Sequence, residues 1–334
     1  MKAIICPRYG SPDVLQLREV VKPVPREDEV LIHIHAASLN SRDLRMLRAK
    51  PFFILLKGGF LQPKNKVRGA DFAGRVEAIG SRVTQFKPGD GVFGYLPSAT
   101  GRGTFAEYVA AKENYISLKP TNLTFEQTAA VPLAAMTALQ GLRDKGQIQP
   151  WQKVLINGAS GGVGTFAVQI AKAFRAEVTA VCSTRNLEMV RSLQADHVID
   201  YSKEDFNKND LKYDLILAVN GYHPISDYLH ALKPDGSYVV AGGSMFQLFQ
   251  AASYKRRNSY TGGQKTYVVS LVQNQKDLIF IKDLLESGKI RPVIDACYPL
   301  SKTAEAFWYF EKEHAKGKIV ISMAEYYNTQ EEKN

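Results

Sequence analysis

The sequence predicts an α/β protein with two domains: a β-rich domain, and a domain with a doubly wound parallel sheet that is inserted into the sequence of the first. Three observations support this fold class. The chain has 334 residues, which suits two cores better than one. Its first third reads as short strands between turns, whereas strand and helix patterns alternate from about residue 124. A late strand-like stretch at 317–322 is expected to rejoin the β-rich part.

The composition is that of a globular protein. Hydrophobic residues make up 45% and charged residues 23%, which argues against a disordered or fibrous chain. The three cysteines form no C-x-x-C pair, so we expect a reducing compartment and no disulfide framework. No run approaches the roughly 20 apolar residues of a membrane span, and a cytoplasmic protein is expected. The net charge of +10 is spread along the chain, so nucleic acid is not an expected partner.

In the first third, apolar and polar residues alternate at 30–36, which indicates a half-buried strand. A second strand is predicted at 72–80, where it stops at a glycine. Residues 87–91 read Lys-Pro-Gly-Asp-Gly, a typical turn, and a third strand follows at 92–94. These short strands predict a β-rich domain.

Beyond residue 124 the period changes. Residues 125–145 have a helical pattern that is broken at Pro132, and 148–150 reads as a linker. The predicted strands are 153–157, 177–182, 197–199, 214–219 and 237–241, and the predicted helices are 163–174, 186–193 and 225–232. Parallel strands need helical crossovers, so this alternation predicts a doubly wound parallel sheet.

A glycine-rich turn follows the first strand of that sheet. Residues 158–164 read Gly-Ala-Ser-Gly-Gly-Val-Gly between a buried strand and an amphipathic helix. A dinucleotide site needs small residues there, because the turn is tight and the backbone approaches the pyrophosphate closely. The pyrophosphate then meets the free N–H groups of the helix. The candidate cofactor residues of the turn are Ser160, Gly161, Gly162, Val163 and Gly164.

The end of the second strand indicates which dinucleotide is bound. An acidic residue there would hold the ribose 2′-hydroxyl of NAD, but the chain reads Ser183-Thr184-Arg185. Two hydroxyls and a guanidinium suit a 2′-phosphate, because arginine pairs with phosphate through charge-assisted hydrogen bonds. The sequence therefore predicts NADPH as the cofactor.

Besides the glycine-rich turn, which lies within residues 157–164, five further segments form recognisable motifs: residues 69–76, 86–90, 130–138, 242–243 and 317–320. On these motifs, the chain resembles the medium-chain dehydrogenase/reductase superfamily, and within it the zinc-free quinone oxidoreductase branch. The resemblance implies a GroES-like catalytic domain built from residues 1–123 and 291–334. It also implies an inserted Rossmann NADP-binding domain at 124–290.

The same resemblance implies roles for single residues. Asn40 and Thr137 would lie near the nicotinamide as catalytic residues. Ser183, Arg185 and Tyr201 would surround the 2′-phosphate. Gly242 and Gly243 would sit under the cofactor, with Lys318 as a further cofactor contact.

Two departures separate the chain from the zinc-dependent branch. Asn40 stands where that branch has a cysteine, and Ala70 stands where it has the histidine of a Gly-His-Glu motif. Catalytic zinc needs about three nitrogen, sulfur or oxygen ligands from the protein. We therefore expect no metal, and we interpret His33 and His35, which alternate along a strand, as structural.

Reduction of a simple ketone produces an alkoxide, which needs a Lewis acid or a strong proton donor to stabilise it, and we expect no metal here. Quinones give a phenolate-like anion and enones a delocalised enolate, and both need less help. The predicted function is therefore NADPH-dependent reduction of quinones or α,β-unsaturated carbonyl compounds. Two alternatives remain open: a zinc-free NADP-dependent alcohol dehydrogenase, and a non-catalytic NADPH-binding or redox-sensing protein.

Two apolar stretches remain. Residues 51–61 are unusually apolar, and we consider three interpretations: a roof over the substrate cleft, a contact with a membrane surface, or a plain structural helix. Residues 266–272 form an apolar strand that we interpret as the edge of a homodimer.

Overall fold

The chain divides into two compact units. The computed structural model describes residues 1–50, 62–97, 100–208, 211–219, 223–243, 247, 250–251, 254, 263–313 and 315–324. The first unit comprises Met1–Leu133, Gln273–Glu286 and Pro292–Asn334, and the second comprises Ala134–Val272 and Ser287–Arg291. Both ends of the chain thus belong to the first unit.

The first unit is built mainly from strands. They are β1 (Lys2–Ile5), β2 (Gln16–Glu19), β3 (Glu29–Ser38), β4 (Asp71–Ile79), β5 (Gly91–Tyr95), β6 (Tyr108–Lys112), β7 (Ile116–Leu118), β14 (Ile294–Pro299) and β15 (Lys318–Ser322). Its helices are α1 (Ser41–Arg48), α2 (Phe125–Ala129), α7 (Gln275–Glu286) and α8 (Thr303–Lys312), and α3 (Pro132–Leu139) spans the boundary to the second unit.

The main sheet of the first unit joins strands from both ends of the chain. The order is β14-β15-β3-β4-β5-β7, and β6 also pairs with β3. Strand β15 runs antiparallel to β3, which confirms the prediction that the late strand rejoins the β-rich part. Val30, Ile32 and Ile34, alternate residues of β3, are fully buried in its core, as the alternating pattern predicts.

The second unit contains a parallel sheet. Its strands are β8 (Lys153–Asn157), β9 (Glu177–Cys182), β10 (His197–Asp200), β11 (Tyr213–Ala218), β12 (Leu232–Val240) and β13 (Lys265–Val268). Its helices are α4 (Gly162–Ala173), α5 (Leu187–Arg191) and α6 (Ile225–Ala231). The order β10-β9-β8-β11-β12-β13 changes direction beside β8, which is where doubly wound sheets bind ligands. Val154, Leu155 and Ile156 are fully buried, as expected for a strand covered on both faces.

The boundaries differ from the predicted ones where local bonding competes with the periodic pattern. The predicted helix at 125–145 consists of α2, α3 and a π-helix at Gln140–Lys145, with the break at Pro132 as expected. The predicted helix at 186–193 begins as a 3₁₀ turn at Thr184–Asn186 before α5. Strand β12 begins five residues before the predicted strand, because Leu232 already pairs with Tyr213. Among the described residues, none of the helices combines the length and the hydropathy that a membrane span requires.

Candidate active site and cofactor site

Strand ends of the first unit converge at one place. Strands β4 and β15 run antiparallel to β3, so their first residues lie beside its last ones. Ser38, which ends β3, pairs with Asp71, and the next N–H, of Leu39, donates to Ile319 O at 2.9 Å. Tyr95, which ends β5, pairs with Asp71 from the other side. Residues far apart in sequence therefore meet at this edge.

A buried polar cluster, the Lys318 cluster, occupies this edge and consists of Lys318, Asn40, Asp71 and Ser38. Lys318 Nζ donates to Asn40 Oδ1 at 2.5 Å, to Leu39 O at 2.9 Å and to Asp71 Oδ2 at 3.3 Å. Asp71 Oδ2 also accepts from Asn40 Nδ2 and from Ser38 Oγ, each at 3.0 Å. These side chains therefore satisfy one another's hydrogen bonds.

The Lys318 cluster is shielded from solvent. Lys318 is 3% exposed, Asn40 is 6% exposed and Asp71 has no exposed surface. Burial lowers the pKa of Lys318 because desolvation disfavours the ammonium form, and the nearby Asp71 carboxylate opposes that change. The second oxygen of Asp71, Oδ1, accepts the backbone N–H of Leu133 at 2.9 Å. A buried ion pair held this way is rigid and costly to break.

Asn40 also begins helix α1. It is the N-cap residue, and its backbone N–H donates to Asp43 Oδ2 at 3.0 Å in a capping box. Asp43 is only 3% exposed. Burial is the main cause that raises the pKa of Asp43 to about 6, with a smaller contribution from Asp71 and an opposing one from Arg42. The capping box therefore fixes the direction of Asn40 through a carboxyl that titrates above its ordinary range.

The raised pKa of Asp43 predicts a pH dependence of stability. In the unfolded chain an aspartate ionises near 3.9, whereas the folded protein holds the proton until about pH 6. Between those values the folded state binds more protons, so this group's contribution falls as pH rises, by about 3 kcal/mol in all. We expect Asp43→Asn to remove that slope. Urea unfolding at pH 4.5 and pH 7.5 measures it, and parallel slopes in both proteins would contradict the assignment.

The glycine-rich turn of the second unit connects β8 to α4. Gly158 has a φ of +86°, a left-handed conformation that glycine adopts readily. Gly161 is the N-cap residue of α4. Because glycine has no side chain, it does not accept a hydrogen bond from the first N–H groups of the helix. The helix that follows packs on the sheet, with Phe166, Val168 and Ile170 fully buried. The turn thus presents a helix N-terminus at the carboxyl end of β8.

Gly164 and Gly161 differ in the space that is available for a side chain. A Cβ at Gly164 would lie 2.1 Å from Gly158 O and 2.8 Å from the backbone of Ala159, so the turn itself requires glycine there. A Cβ at Gly161 would find Gly158 O as its nearest neighbour, at 3.8 Å. Protein packing therefore does not require glycine at 161, and the open space suits a bound group.

Polar side chains gather where β9 ends. Ser183, Thr184 and Arg185 follow directly after Cys182, the last residue of the strand. Asn186 Nδ2 donates to Ser160 Oγ at 2.9 Å and to Ser183 Oγ at 3.2 Å. The buried Asn186 thus joins the glycine-rich turn to the end of β9.

An acidic residue also lies near this end, contributed by the neighbouring strand. Asp200, the last residue of β10, accepts from Thr184 Oγ1 at 2.6 Å and from Ser202 Oγ at 2.7 Å. These hydrogen bonds, led by that of Thr184, lower the pKa of Asp200. Lys203 Nζ lies 3.9 Å from the same carboxylate. The acid is therefore engaged by residues of the protein.

Gly242 and Gly243 follow β12, and each has a structural reason to be glycine. A Cβ at Gly242 would lie 2.3 Å from Val219 O. Gly243 has a φ of +89°, and its Cβ would meet the side chain of Gln247 at 2.3 Å.

Comparison with known proteins identifies the family. Residues 26–121 match the model described as alcohol dehydrogenase GroES-like domain, and residues 193–321 match that of zinc-binding dehydrogenase. The 2-methylene-furan-3-one reductase of Solanum lycopersicum is 38% identical, over 96% of this chain and 79% of the relative. The chain belongs to the medium-chain dehydrogenase/reductase superfamily, in its quinone oxidoreductase branch.

Two further members of the superfamily extend this comparison. The NADPH-dependent alkenal/one oxidoreductase of Arabidopsis thaliana, named chloroplastic, is 35% identical, over 96% of this chain and 79% of the relative. The solved structure of the quinone oxidoreductase from Coxiella burnetii matches with a TM-score of 0.86 and 29% identity, over 97% of this chain and 99% of that one. As a member of this branch, the chain is an NAD(P)H-dependent oxidoreductase.

The structure brings some of the predicted site residues together within each unit. Asn40 and Lys318 are in direct contact in the first unit. In the second unit, Ser160 and Ser183 share the amide of Asn186. Four further predicted site residues of that unit are Thr137 in α3, 7% exposed, Tyr201, 60% exposed, and the exposed Thr184 and Arg185. The apolar stretch at 51–61 lies outside the described residues.

Several residues of the candidate site were missed by the sequence reasoning. Asp71 lies inside a motif that carried the family resemblance, but its pairing with Lys318 depends on a sheet that joins both chain ends. Asp43 carries a local signal, since Asn40 and Asp43 have the spacing of a capping box. Asp200 is the last residue of β10, the third strand of the parallel sheet along the chain, whereas the acid that binds the ribose is usually sought at the end of the second strand.

The histidines of β3 are packed by aromatic side chains. The ring of His33 stacks on Tyr108 at 4.7 Å between centroids, and His35 stacks on Phe125 at 4.2 Å. Burial lowers the pKa of His35. Across the part of the chain that the structure describes, no group of three or more His, Cys, Asp or Glu side chains is arranged to hold a metal ion.

Proposed function

We propose that this chain reduces quinones and α,β-unsaturated carbonyl compounds with NADPH and without zinc. The observation that carries the proposal is the open position at Gly161, at the head of α4, together with the phosphate-binding type of side chains at the end of β9. Asn40 and Thr137 are the proposed residues beside the nicotinamide. The proposed division is a catalytic domain at 1–123 and 291–334 and a cofactor domain at 124–290.

The residues of the second unit fit a dinucleotide. We assign the pyrophosphate to the backbone of Ser160, Gly161, Gly162, Val163 and Gly164, where helix N–H groups favour an anion. The bound cofactor would supply a hydride. Gly242 and Gly243 are proposed to pass beneath it, and Tyr201 and Lys318 are proposed further contacts.

The choice of NADPH over NADH rests on the end of β9. Arg185 is exposed there, beside the hydroxyls of Ser183 and Thr184. Asp200 is the acid within reach of Thr184, but its oxygens accept from Thr184 and Ser202 and it faces Lys203. An acid engaged in this way is poorly placed to bind a ribose hydroxyl. The Arabidopsis relative is also NADPH-dependent by name.

The choice of acceptor rests on the chemistry of the residues present. Asn40 and Ala70 stand where the zinc-dependent branch carries a cysteine and a histidine, and neither an amide nor a methyl group is a usual zinc ligand. Quinones and enones need less stabilisation of the product anion than simple ketones do, so positioning of the acceptor supplies part of the rate without a metal. The tomato and Arabidopsis relatives are named for enone and alkenal reduction, and the Coxiella relative for quinones.

We expect Arg185→Ala to weaken NADPH binding about 10- to 100-fold, since hydrogen bonds to charged groups contribute about 1.5–3 kcal/mol. NADH binding should change little, because NADH lacks the 2′-phosphate. Fluorescence titration with each cofactor measures both constants. Arg175→Ala is the matched control, because it removes an exposed arginine at the opposite end of β9. Equal loss for NADPH and NADH would overturn the phosphate assignment.

Steady-state oxidation of NADPH against quinones, enones and aldehydes tests the reaction itself. NADP-linked oxidation of simple alcohols would instead identify a zinc-free alcohol dehydrogenase. Tight NADPH binding without turnover of any acceptor would identify a binding or sensing protein.

Location and assembly are part of the proposal. We propose a cytoplasmic homodimer; the chloroplastic location belongs to the Arabidopsis relative. Strand β13 ends the described parallel sheet, which supports edge-to-edge pairing of two copies there.

A further inference from the structure

The Lys318 cluster uses up its own hydrogen-bond donors. The three N–H bonds of Lys318 point to Asn40, Asp71 and Leu39 O. The amide nitrogen of Asn40 donates to Asp71 and, at 3.4 Å, to Ser38 O. Neither side chain therefore has a hydrogen left to offer to a substrate oxygen. A proton donor for the reaction has to be sought beside the cluster.

Tyr95 carries such a hydrogen. It ends β5, pairs with Asp71 across the sheet, and is 7% exposed. Its hydroxyl oxygen accepts from Arg42 Nη1 at 3.2 Å. Within the described ranges, no residue accepts the hydroxyl hydrogen of Tyr95, although a buried phenol normally finds an acceptor. One donor at this edge of the sheet is thus left for a ligand.

Arg42 provides a positive charge next to that hydroxyl. It is the second residue of α1, two positions after Asn40, and is partly exposed. Besides Tyr95, its Nη1 donates to Leu96 O at 3.3 Å, and its guanidinium carbon lies 5.5 Å from the centroid of the Tyr95 ring. A guanidinium so placed stabilises a phenolate more than a phenol.

We propose that Tyr95 donates the proton to the carbonyl oxygen of the acceptor, with Arg42 stabilising the phenolate that results. This assignment rests on the proposed reduction of conjugated carbonyl compounds. As the hydride adds to the β-carbon of an enone, the electron pair of the carbon–carbon double bond moves toward the carbonyl oxygen. That oxygen takes the proton of Tyr95 to give an enol, and the Tyr95 phenolate regains a proton from water.

The surroundings keep Tyr95 protonated until it is needed. Burial raises its pKa, and the carboxylates of Asp71 and Asp43 add to that change, while Arg42 opposes it. A tyrosine whose pKa is at or above its ordinary value carries its proton at neutral pH, as a donor must.

The first test compares two acceptors in Tyr95→Phe. General acid catalysis contributes about 10²- to 10⁴-fold, and more when the product anion is more basic. We expect kcat with an enone such as 3-penten-2-one to fall at least about 100-fold. With a chlorinated 1,4-quinone, whose hydroquinone ionises readily, it should fall less than about threefold. Tyr115→Phe, which removes a hydroxyl from a partly buried tyrosine of the same unit, is the control and should change neither rate.

The second test does not depend on turnover. 4-Nitrophenol mimics the anionic product, and its absorbance reports its ionisation. We expect the NADP-loaded protein to bind the phenolate form, and Tyr95→Phe and Arg42→Met each to weaken that binding about 10- to 100-fold, as for a hydrogen bond or a charge contact to an anion. Thermal unfolding followed by circular dichroism identifies any variant that has not folded. If Tyr95→Phe does not fold, the binding test is made with Arg42→Met.

The outcomes separate this inference from the proposed function. If the unaltered protein oxidises NADPH with neither acceptor, the proposed function fails. If it reduces both, and Tyr95→Phe slows the two equally or not at all, Tyr95 has only a structural role. Unchanged binding of 4-nitrophenolate in both variants would likewise overturn the assignment.

Discussion

Replacing Lys318 with methionine is expected to lower the free energy of unfolding by about 3–5 kcal/mol. Lys318 and Asp71 are buried, and Asp71 would lose its cationic partner while its carboxylate stays out of water. Removing one member of a buried ion pair is costly because the remaining charge is uncompensated. Asn40 would also lose the donor that holds its Oδ1. Urea unfolding at pH 7, followed by circular dichroism, measures the loss.

Two comparisons show whether burial of the charge causes that loss. Lys302→Met breaks an exposed pair with Glu305, whose side chains are 54% and 59% exposed, and should cost less than about 1 kcal/mol. The double variant Lys318→Met with Asp71→Asn leaves no unpaired charge and should recover much of the stability. A single-variant loss of about 1 kcal/mol or less would mean that water reaches Asp71.

The sequence predicts those parts of the fold and site that depend on neighbours in the chain. The strand at 153–157, the turn that follows and α4 are adjacent in sequence, so their pattern contains the information that places them. The same holds for the break at Pro132, where the missing N–H acts within one turn of helix. The predicted glycine-rich turn therefore matches the observed one.

The parts that were missed depend on pairing between distant segments. Asp71 meets Lys318 across 247 positions, and Arg42 meets Tyr95 across 53. Nothing local to Tyr95 marks it as different from the chain's other tyrosines; only the register between β4 and β5 places it beside Asp71. Helix α7 was also missed, although Leu278, Ile281 and Leu285 are buried along one face at helical spacing.

Adding one methyl group at two positions of the glycine-rich turn should separate structure from cofactor binding. We expect Gly164→Ala to lower the free energy of unfolding by about 3 kcal/mol or more, since the new Cβ collides with backbone at 2.1 Å and neither segment can yield cheaply. Gly161→Ala should stay within about 1 kcal/mol of the unaltered protein, as for an alanine at a helix N-cap. Thermal and urea unfolding of the two variants, side by side, give the comparison.

For NADPH binding, Gly161→Ala is the informative variant. Gly161→Ala is expected to raise the dissociation constant for NADPH more than about tenfold, because the methyl group enters the space where a pyrophosphate would approach the N–H groups of α4. Since that variant stays folded, the loss reports the cofactor and not the scaffold. Isothermal titration calorimetry with NADPH measures this dissociation constant. Unchanged affinity in Gly161→Ala would mean that the cofactor does not use this turn, whatever the stability of Gly164→Ala.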